Sequence, residues 1–325
     1  MDAIAARFAE VLERQQVTGP TVVALSGGID SMVLLEIAAA WARSHHGVHL
    51  EALHVHHGLS PNADAWAAFC ERECAARAVP LKVVRVAIDR ADTGGQGVEA
   101  AARAARYRAF VDSGAHFILA AQHADDQAET VLHQLLRGTG WAGLAGMGET
   151  RVLAPHTVLV RPFLGLERGV LEQYARAQGL AWIEDESNDD VAYTRNYLRH
   201  RVLPAIAERF PHFRASLSRA ARHAAEADEL LEALARIDLA WQDGVAHADA
   251  LDALPPARQV NALYHWLRWL GIPPPSHAQL IEWARQLFRP TPTDRPHQAG
   301  GHEFRIVRKE GTLRLVIAGP GPDHH

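Results

Sequence analysis

Two short stretches carry the residues that could do chemistry. The first is Ser26-Gly27-Gly28-Ile29-Asp30-Ser31, reached through the apolar run Thr21-Val22-Val23-Ala24-Leu25 and followed by Met32-Val33-Leu34-Leu35-Glu36-Ile37. A strand, a glycine turn and a helix N-terminus make a phosphate cradle. Glycine lets the backbone approach closely, and the first helical N–H groups carry partial positive charge toward an anion. No Gly-x-x-x-x-Gly-Lys is present, so the loop is not of the Walker form. The second stretch is Ala121-Gln122-His123-Ala124-Asp125-Asp126-Gln127-Ala128-Glu129-Thr130. Asp125 and Asp126 stand at a helix start, where the dipole favours carboxylates and free N–H groups need caps. A bound polyphosphate calls for Mg²⁺, which takes carboxylate and phosphate oxygens. Asp30 with one of these aspartates, Asp125 in the first instance, could hold the ion. His123 could act as acid or base, or hydrogen-bond a phosphate.

The elements that must position these residues follow from periodicity. An amphipathic helix is expected over 3–16 and strands over 21–25, 48–55, 82–86 and 116–121. Helices are expected between and after the strands, over 31–46, 62–78, 98–113 and from about 125. Strands alternating with helices imply an α/β class, a parallel doubly wound sheet covered on both faces. Ligands of such sheets sit at the carboxyl ends of the strands, and the loops at 26–30, 56–61 and 122–126 all fall there. Gly94, Gly95 and Gly97 mark one loop, and Gly140, Gly143, Gly146 and Gly148 a glycine-rich connection. A helix over 166–178 follows. From Phe213 the chain reads as mainly helical, to 240, then 255–270 and 276–288. A break at Pro290, Pro292 and Pro296 precedes two short strands, 302–308 and 312–317, as a closing β-hairpin. Two domains are expected, 1–205 and 206–325.

Composition narrows the partners. At 325 residues with 48% hydrophobic and 22% charged content, the chain reads as globular. No apolar run is long enough to span a bilayer and the N-terminus has no secretory pattern, so no membrane partner and a cytoplasmic location are expected. Cys70 and Cys74 are four apart, not at the Cys-x-x-Cys spacing of a zinc or redox pair, and read as packing residues. Net charge is −5, so any nucleic-acid face must be local. One is visible. Residues 193–222 carry seven arginines against one acid, Glu208, and Tyr193 and Tyr197 interleave with Arg195, Arg199 and Arg201. That pattern suits phosphates and an unstacked base. A basic helix pairing with Glu184, Asp185, Glu186, Asp189 and Asp190 is the structural alternative. Trp266, Trp269 and Trp283 at helical spacing read as core.

The motifs, taken in order, resemble a known family. Ser-Gly-Gly-Ile-Asp-Ser has the form of the modified loop of the ATP pyrophosphatase (PP-loop) superfamily. It is followed by His-Val-His-His-Gly-Leu-Ser (54–60), Arg-Ala-Ala-Arg-Tyr-Arg-Ala-Phe (103–110), Gln-His-Ala-Asp-Asp-Gln-Ala-Glu-Thr (122–130), Arg-Pro-Phe-Leu (161–164) and Asp-Glu-Ser-Asn-Asp-Asp…Arg-Asn-Tyr-Leu-Arg (185–199). The set is similar to the tRNA(Ile)-lysidine synthetases over the first 205 residues. The resemblance implies a Rossmann-like PP-loop catalytic domain and a tRNA-binding, substrate-specificity domain. It implies that ATP adenylates the C2 oxygen of the wobble cytidine of a tRNA(Ile) with a CAU anticodon. Free L-lysine then displaces AMP to give lysidine, changing codon reading from AUG to AUA.

On that resemblance Ser26, Gly27, Gly28, Ile29, Asp30 and Ser31 would hold ATP, with His56 and Arg103 on the nucleotide side. Asp30, His123, Asp126 and Arg195 or Arg199 would be catalytic, and Asp125 and Asp126 would take the lysine. Tyr193, Arg195, Asn196, Arg199 and Arg201 would meet the tRNA. The family suggests a homodimer. Its longer members carry a further C-terminal domain that helps read the tRNA, which the expectation for these 325 residues does not include. Two other readings stand beside it. A tRNA-thiolating PP-loop enzyme would need a cysteine pair or cluster set, which Cys70 and Cys74 do not supply. A non-catalytic tRNA-binding module would carry the loop as a relic.

Overall fold

The computed structural model describes residues 3–87, 98–185, 190–241, 246–247, 249–288, 297–300, 304–309 and 311–317. The expected loop glycines Gly94, Gly95 and Gly97, the acids Glu186 and Asp189, and Pro290, Pro292 and Pro296 lie outside these residues. The chain divides into two compact units between Arg222 and His223.

In the first unit, helix α1 (Ala3–Arg14) leads to strand β1 (Gly19–Ala24), helix α2 (Ile29–Ala42), β2 (Val48–His56), α3 (Ala63–Ala76), β3 (Leu81–Arg85), α4 (Val98–Val111) and β4 (Phe117–Leu119). These are the expected elements, with β4 shorter than read. Then α5 (Ala124–Leu136) and a single turn, α6 (Trp141–Leu144), precede β5 (Thr150–Ala154), β6 (Thr157–Val160) and α7 (Arg168–Ala177). The strands form one sheet in the order β3-β2-β1-β4-β6-β5. All neighbours are parallel except β5, which pairs antiparallel with β6.

Strands β5 and β6 were not expected. The run Val158-Leu159-Val160 is too short to show a period, and it follows a glycine-rich stretch that reads as connection. Physically it is core: Leu159 and Val160 are buried and extend the sheet beside β4.

Helix α2 has almost no polar stripe, because it is enclosed. Met32, Val33, Leu34 and Leu35 are fully buried with Phe8 of α1, Cys70 and Cys74 of α3, and Leu171 of α7. This bears out the packing role expected for both cysteines. Ala109 and Phe110 of α4 cover the opposite face with Val22, Leu53, Ile118 and Leu159. Both faces of the sheet are therefore covered. The chain runs outward from β1 to β3 and then returns to the other side of β1 as β4, so a crevice opens where the carboxyl ends of β1 and β4 diverge.

Beyond α7 come α8 (Thr194–Tyr197), a π turn (Leu198–Val202), α9 (Leu203–Arg209) and α10 (Phe213–Asp238). Pro204 has no N–H to give the preceding turn, and the ladder widens there. The expected boundary at 205/206 falls inside α9. Leu203 and Phe213 bury against Ala128 of α5, which joins this segment to the first unit.

The second unit holds the rest of α10, a strand β7 (Ala246–His247), a 3₁₀ turn (Asp249–Ala253), helices α11 (Pro256–Trp269) and α12 (His277–Leu287), and strands β8 (His297–Gly300), β9 (Phe304–Lys309) and β10 (Thr312–Ile317). The closing hairpin is the centre of a four-stranded antiparallel sheet, β7-β10-β9-β8. The two flanking strands are too short or too polar to show a period of two. Trp266 and Trp283 are core, packed with Leu263, Leu280 and Leu287, as their spacing implies.

Candidate functional site

The phosphate loop is built by its own hydroxyls. Ser31 Oγ accepts the Gly27 N–H (3.1 Å) and the Ser26 N–H (3.3 Å) and donates to the Gly28 carbonyl (2.9 Å). Ser26 Oγ accepts the Gly28 N–H at 3.3 Å. Gly28 is the extended N-cap of α2, so Ile29, Asp30 and Ser31 are the first helical residues, whose N–H groups have no intrahelical acceptor. Gly27 has a φ of +89°, and a Cβ there would stand 2.4 Å from Ile183 Cδ1. The Ile183 N–H also donates to the Gly27 carbonyl at 2.9 Å. The loop is thus clamped from outside by a residue no sequence motif flags. From below, the buried His54 ring reaches the Leu25 carbonyl through Nδ1 at 2.9 Å.

Across the crevice, His123 caps α5. Its Nδ1 accepts the Asp126 N–H at 3.4 Å, and Asp126 Oδ2 accepts the His123 N–H at 3.1 Å, a reciprocal box. That leaves Nε2 as the proton-bearing atom, 3.5 Å from Asp30 Oδ2 and 3.4 Å from Asp126 Oδ2. Burial alone would lower the His123 pKa. The hydrogen bond to Asp30 and the charges of Asp126, Asp30 and Asp125 reverse this and raise it.

The chain of charges continues outward. Arg199 donates from Nη2 to Asp126 Oδ1 (3.2 Å) and grips Glu129 through Nε (2.5 Å) and Nη2 (2.9 Å). Burial works against the Arg199 charge, but Glu129, Asp126 and Asp30 raise its pKa. Glu129 is 3% exposed and had no role assigned from sequence. The available signal was its place three residues after Asp126, on the same face of α5.

The expected residues therefore separate. Ser26 to Ser31, His123, Asp126 and Arg199 come together. Asp125, expected to hold metal or lysine, spends both oxygens inside the protein: Oδ2 accepts the Arg168 N–H at the start of α7 (2.9 Å) and Oδ1 accepts Arg214 Nε (2.5 Å). Burial would raise its pKa, and these two donors lower it instead. His56 is buried at the end of β2 and pairs with Asp64 and Arg85, both at 3.2 Å. Arg103 is turned to Tyr107, donating to its hydroxyl at 2.9 Å with its guanidinium 4.8 Å from the ring centre. Tyr193, Arg195, Tyr197 and Arg201 are exposed, and Asn196 donates to the Asp190 carbonyl at 2.9 Å.

Among the described residues no group of three or more His, Cys, Asp or Glu side chains is set to hold a metal ion. A magnesium site shared with phosphate needs only one or two carboxylates. Asp30 fits that use: its Oδ1 is buried with no hydrogen-bond partner among the described residues, beside the phosphate loop. Cys70 and Cys74 do not fit a sulfur-carrying site. Both are buried and unbridged, and burial pushes their thiols up to about 12 and about 11. No helix among the described residues is long and apolar enough to cross a membrane.

Comparison with known proteins adds to this geometry. Residues 1–206 match the PP-loop domain family and residues 247–314 the TilS substrate binding domain family. A tRNA(Ile)-lysidine synthase of Burkholderia pseudomallei is 50% identical over 277 residues, covering 82% of this chain and 56% of that protein. The Salmonella typhi protein of the same name is 43% identical over 304 residues, covering 92% of this chain and 70% of that one. The chain spans little more than half the length of several curated relatives it matches. Among solved structures, the U34-tRNA thiolase NcsA of Methanococcus maripaludis superposes with a TM-score of 0.59 at 15% identity, covering 69% of this chain and 78% of that one. At that identity the likeness concerns the fold alone.

Proposed function

The chain belongs to the tRNA(Ile)-lysidine synthase family, and from that premise we propose that it ligates free lysine to C2 of the wobble cytidine of a tRNA(Ile) with a CAU anticodon. The reaction uses ATP and runs through an adenylated tRNA, releasing AMP and pyrophosphate. The first unit, to Arg222, carries the ATP-pyrophosphatase site, and the mainly helical second unit, from His223, holds the substrate binding domain that helps meet the tRNA. The setting is the cytoplasm.

The observation that carries this reading is the continuous line from the phosphate loop through Asp30, His123 and Asp126 to Arg199 and Glu129. The N–H groups of the first turn of α2, Ile29, Asp30 and Ser31, hold the pyrophosphate end of ATP. The cytidine C2 oxygen attacks the α-phosphorus in line, the bond to pyrophosphate breaks, and the base carries AMP. That step needs positioning and charge neutralisation more than covalent help. Asp30 would hold Mg²⁺ through its unpartnered Oδ1, and the ion supplies neutralisation of phosphate oxygens when bound.

In the second step lysine attacks C2, the C–O bond to AMP breaks, and the amine gives up a proton. Asp126 is placed to take that proton, and His123, whose Nε2–H lies between Asp126 Oδ2 and Asp30 Oδ2, orients both carboxylates. Asp126, 25% exposed on its side chain, faces the lysine ammonium, with Arg199 and Glu129 fixing its orientation. The exposed Tyr193, Arg195 and Arg201, with the half-buried Asn196, meet the tRNA, and Arg199 links that surface to the crevice.

The two half-reactions test this separately. With CAU-anticodon tRNA and ATP but no lysine, the protein should release pyrophosphate and retain AMP on the tRNA. Adding lysine should then release the AMP. Pyrophosphate release without tRNA-bound AMP would contradict the proposal.

A further inference from the structure

We propose that Arg103, Arg151 and Arg161, gathered around Tyr107, form a binding site for a phosphodiester of the RNA backbone. Arg103 bonds the Tyr107 hydroxyl and lies over its ring, and Arg151 approaches the same ring with its guanidinium 5.2 Å from the centre. Arg161 is 2% exposed. It donates to the Gly148 carbonyl at 2.6 Å, yet its Nε is buried with no partner among the described residues. Burial, with like-charge repulsion from Arg151 and Arg103, lowers its pKa against the support of the Tyr107 hydroxyl. The contacts described for the three arginines are to Tyr107 and the Gly148 carbonyl, with no carboxylate among them. A buried, uncompensated guanidinium is expensive, and a bound anion relieves it.

An arginine on an edge strand such as β5 is often only a guard against strand pairing. That reading fits Arg151 alone and leaves the buried Arg161 unexplained. An open cavity of about 380 Å³ elsewhere, lined by Leu132, Phe210 and Phe213, is largely apolar, and its one arginine, Arg209, is exposed rather than buried. Beside Tyr107 a cavity of about 340 Å³ is lined by Arg151, Arg108 and Asp112, the last two offsetting one another in charge. The phosphate source follows from sheet order. With strands about 4.8 Å apart, β5 lies three spacings from β1. A phosphate gripped by the β1 loop cannot also occupy the Tyr107 site, so a second phosphate-bearing molecule must supply it. In the proposed reaction, on which this inference rests, that molecule is the tRNA.

The test uses the full chain and CAU-anticodon tRNA without lysine, with binding read across a salt series. Arg151→Ala removes an exposed guanidinium and should leave the fold intact, checked by thermal melting. It should weaken tRNA binding about tenfold and lower the slope of log K against log salt by about one. The KM for ATP should stay within twofold. Arg72→Ala, an exposed arginine on α3, controls for net charge and should change neither. Arg103→Gln repeats the measurement from the other side of Tyr107. Unchanged tRNA affinity and slope in both variants would overturn the site. So would an ATP defect with tRNA binding intact, which assigns the cluster to the nucleotide, or an equal loss in Arg72→Ala. Loss of tRNA affinity in a chain that ligates no lysine keeps this site and removes the proposed reaction.

Discussion

His123 Nε2 stands 3.5 Å from Asp30 Oδ2, tying the end of β4 to the phosphate loop after β1. The contact joins residues 93 positions apart in sequence (123 − 30) across the point where the sheet changes direction. It gives Asp30 a fixed orientation while leaving its other oxygen unpartnered among the described residues.

Asp30 and Asp125 should therefore behave differently as aspartates. Asp30→Asn is expected to raise the Mg²⁺ concentration needed for ATP turnover and to leave tRNA binding unchanged. Asp125→Ala removes the acceptor for the Arg168 N–H and Arg214. It should lower stability by about 1–3 kcal/mol without changing the Mg²⁺ requirement. Denaturant melts and a Mg²⁺ titration of ATP turnover separate the two.

Gly27 tests the clamp on the loop. Gly27→Ala places a Cβ at positive φ, costing about 1–2 kcal/mol, and drives it into Ile183. ATP affinity should fall sharply. Adding Ile183→Ala relieves the collision but not the backbone strain, so the double variant should recover only part of the loss. Isothermal titration with ATP measures both.

Arg199 supports a glutamate that is otherwise buried. Arg199→Ala should destabilise by about 2 kcal/mol, less than the ~3–5 for a fully buried pair, because its side chain keeps 30% exposure. Glu129→Gln, which retains shape without charge, should cost less than Arg199→Ala. Chemical denaturation ranks the two variants.

His57 gives a pH signature. Burial first, and the Arg106 charge second, push its pKa from 6.5 to about 4. The unfolded chain then takes the proton before the folded one does. This contribution to stability is lost as pH falls from 6.5 toward 4, and is constant below that. His57→Asn should flatten the stability profile in that window, read as melting temperature against pH. An unchanged slope would contradict the burial of a neutral ring.

These expectations also mark what sequence could reveal. The loop, α2 and α5 were legible because a strand, a glycine turn and a cap are local patterns. His123 and Asp126 were legible because they stand where an expected strand ends and an expected helix starts, while the reciprocal box between them was not. Glu129 carried only its helical spacing. Ile183 and Arg214 carried no local signal, since Ile183 reaches Gly27 from a distant segment and Arg214 meets Asp125 across 89 positions. Strands β5 and β6 were hidden because Val158-Leu159-Val160 is too short for a period, and only pairing with β4 makes it a strand. Arg103 read as a nucleotide ligand through family pattern, while its geometry places it with Tyr107.

The central claim is the ligation itself. The full chain, given labelled lysine, ATP and CAU-anticodon tRNA(Ile), should place label at the wobble cytidine with one AMP formed per lysine. At low Mg²⁺ Asp30→Asn should abolish the label while still binding the tRNA, and added Mg²⁺ should restore part of it. A folded, ATP-binding chain that incorporates no lysine into this tRNA would contradict the account.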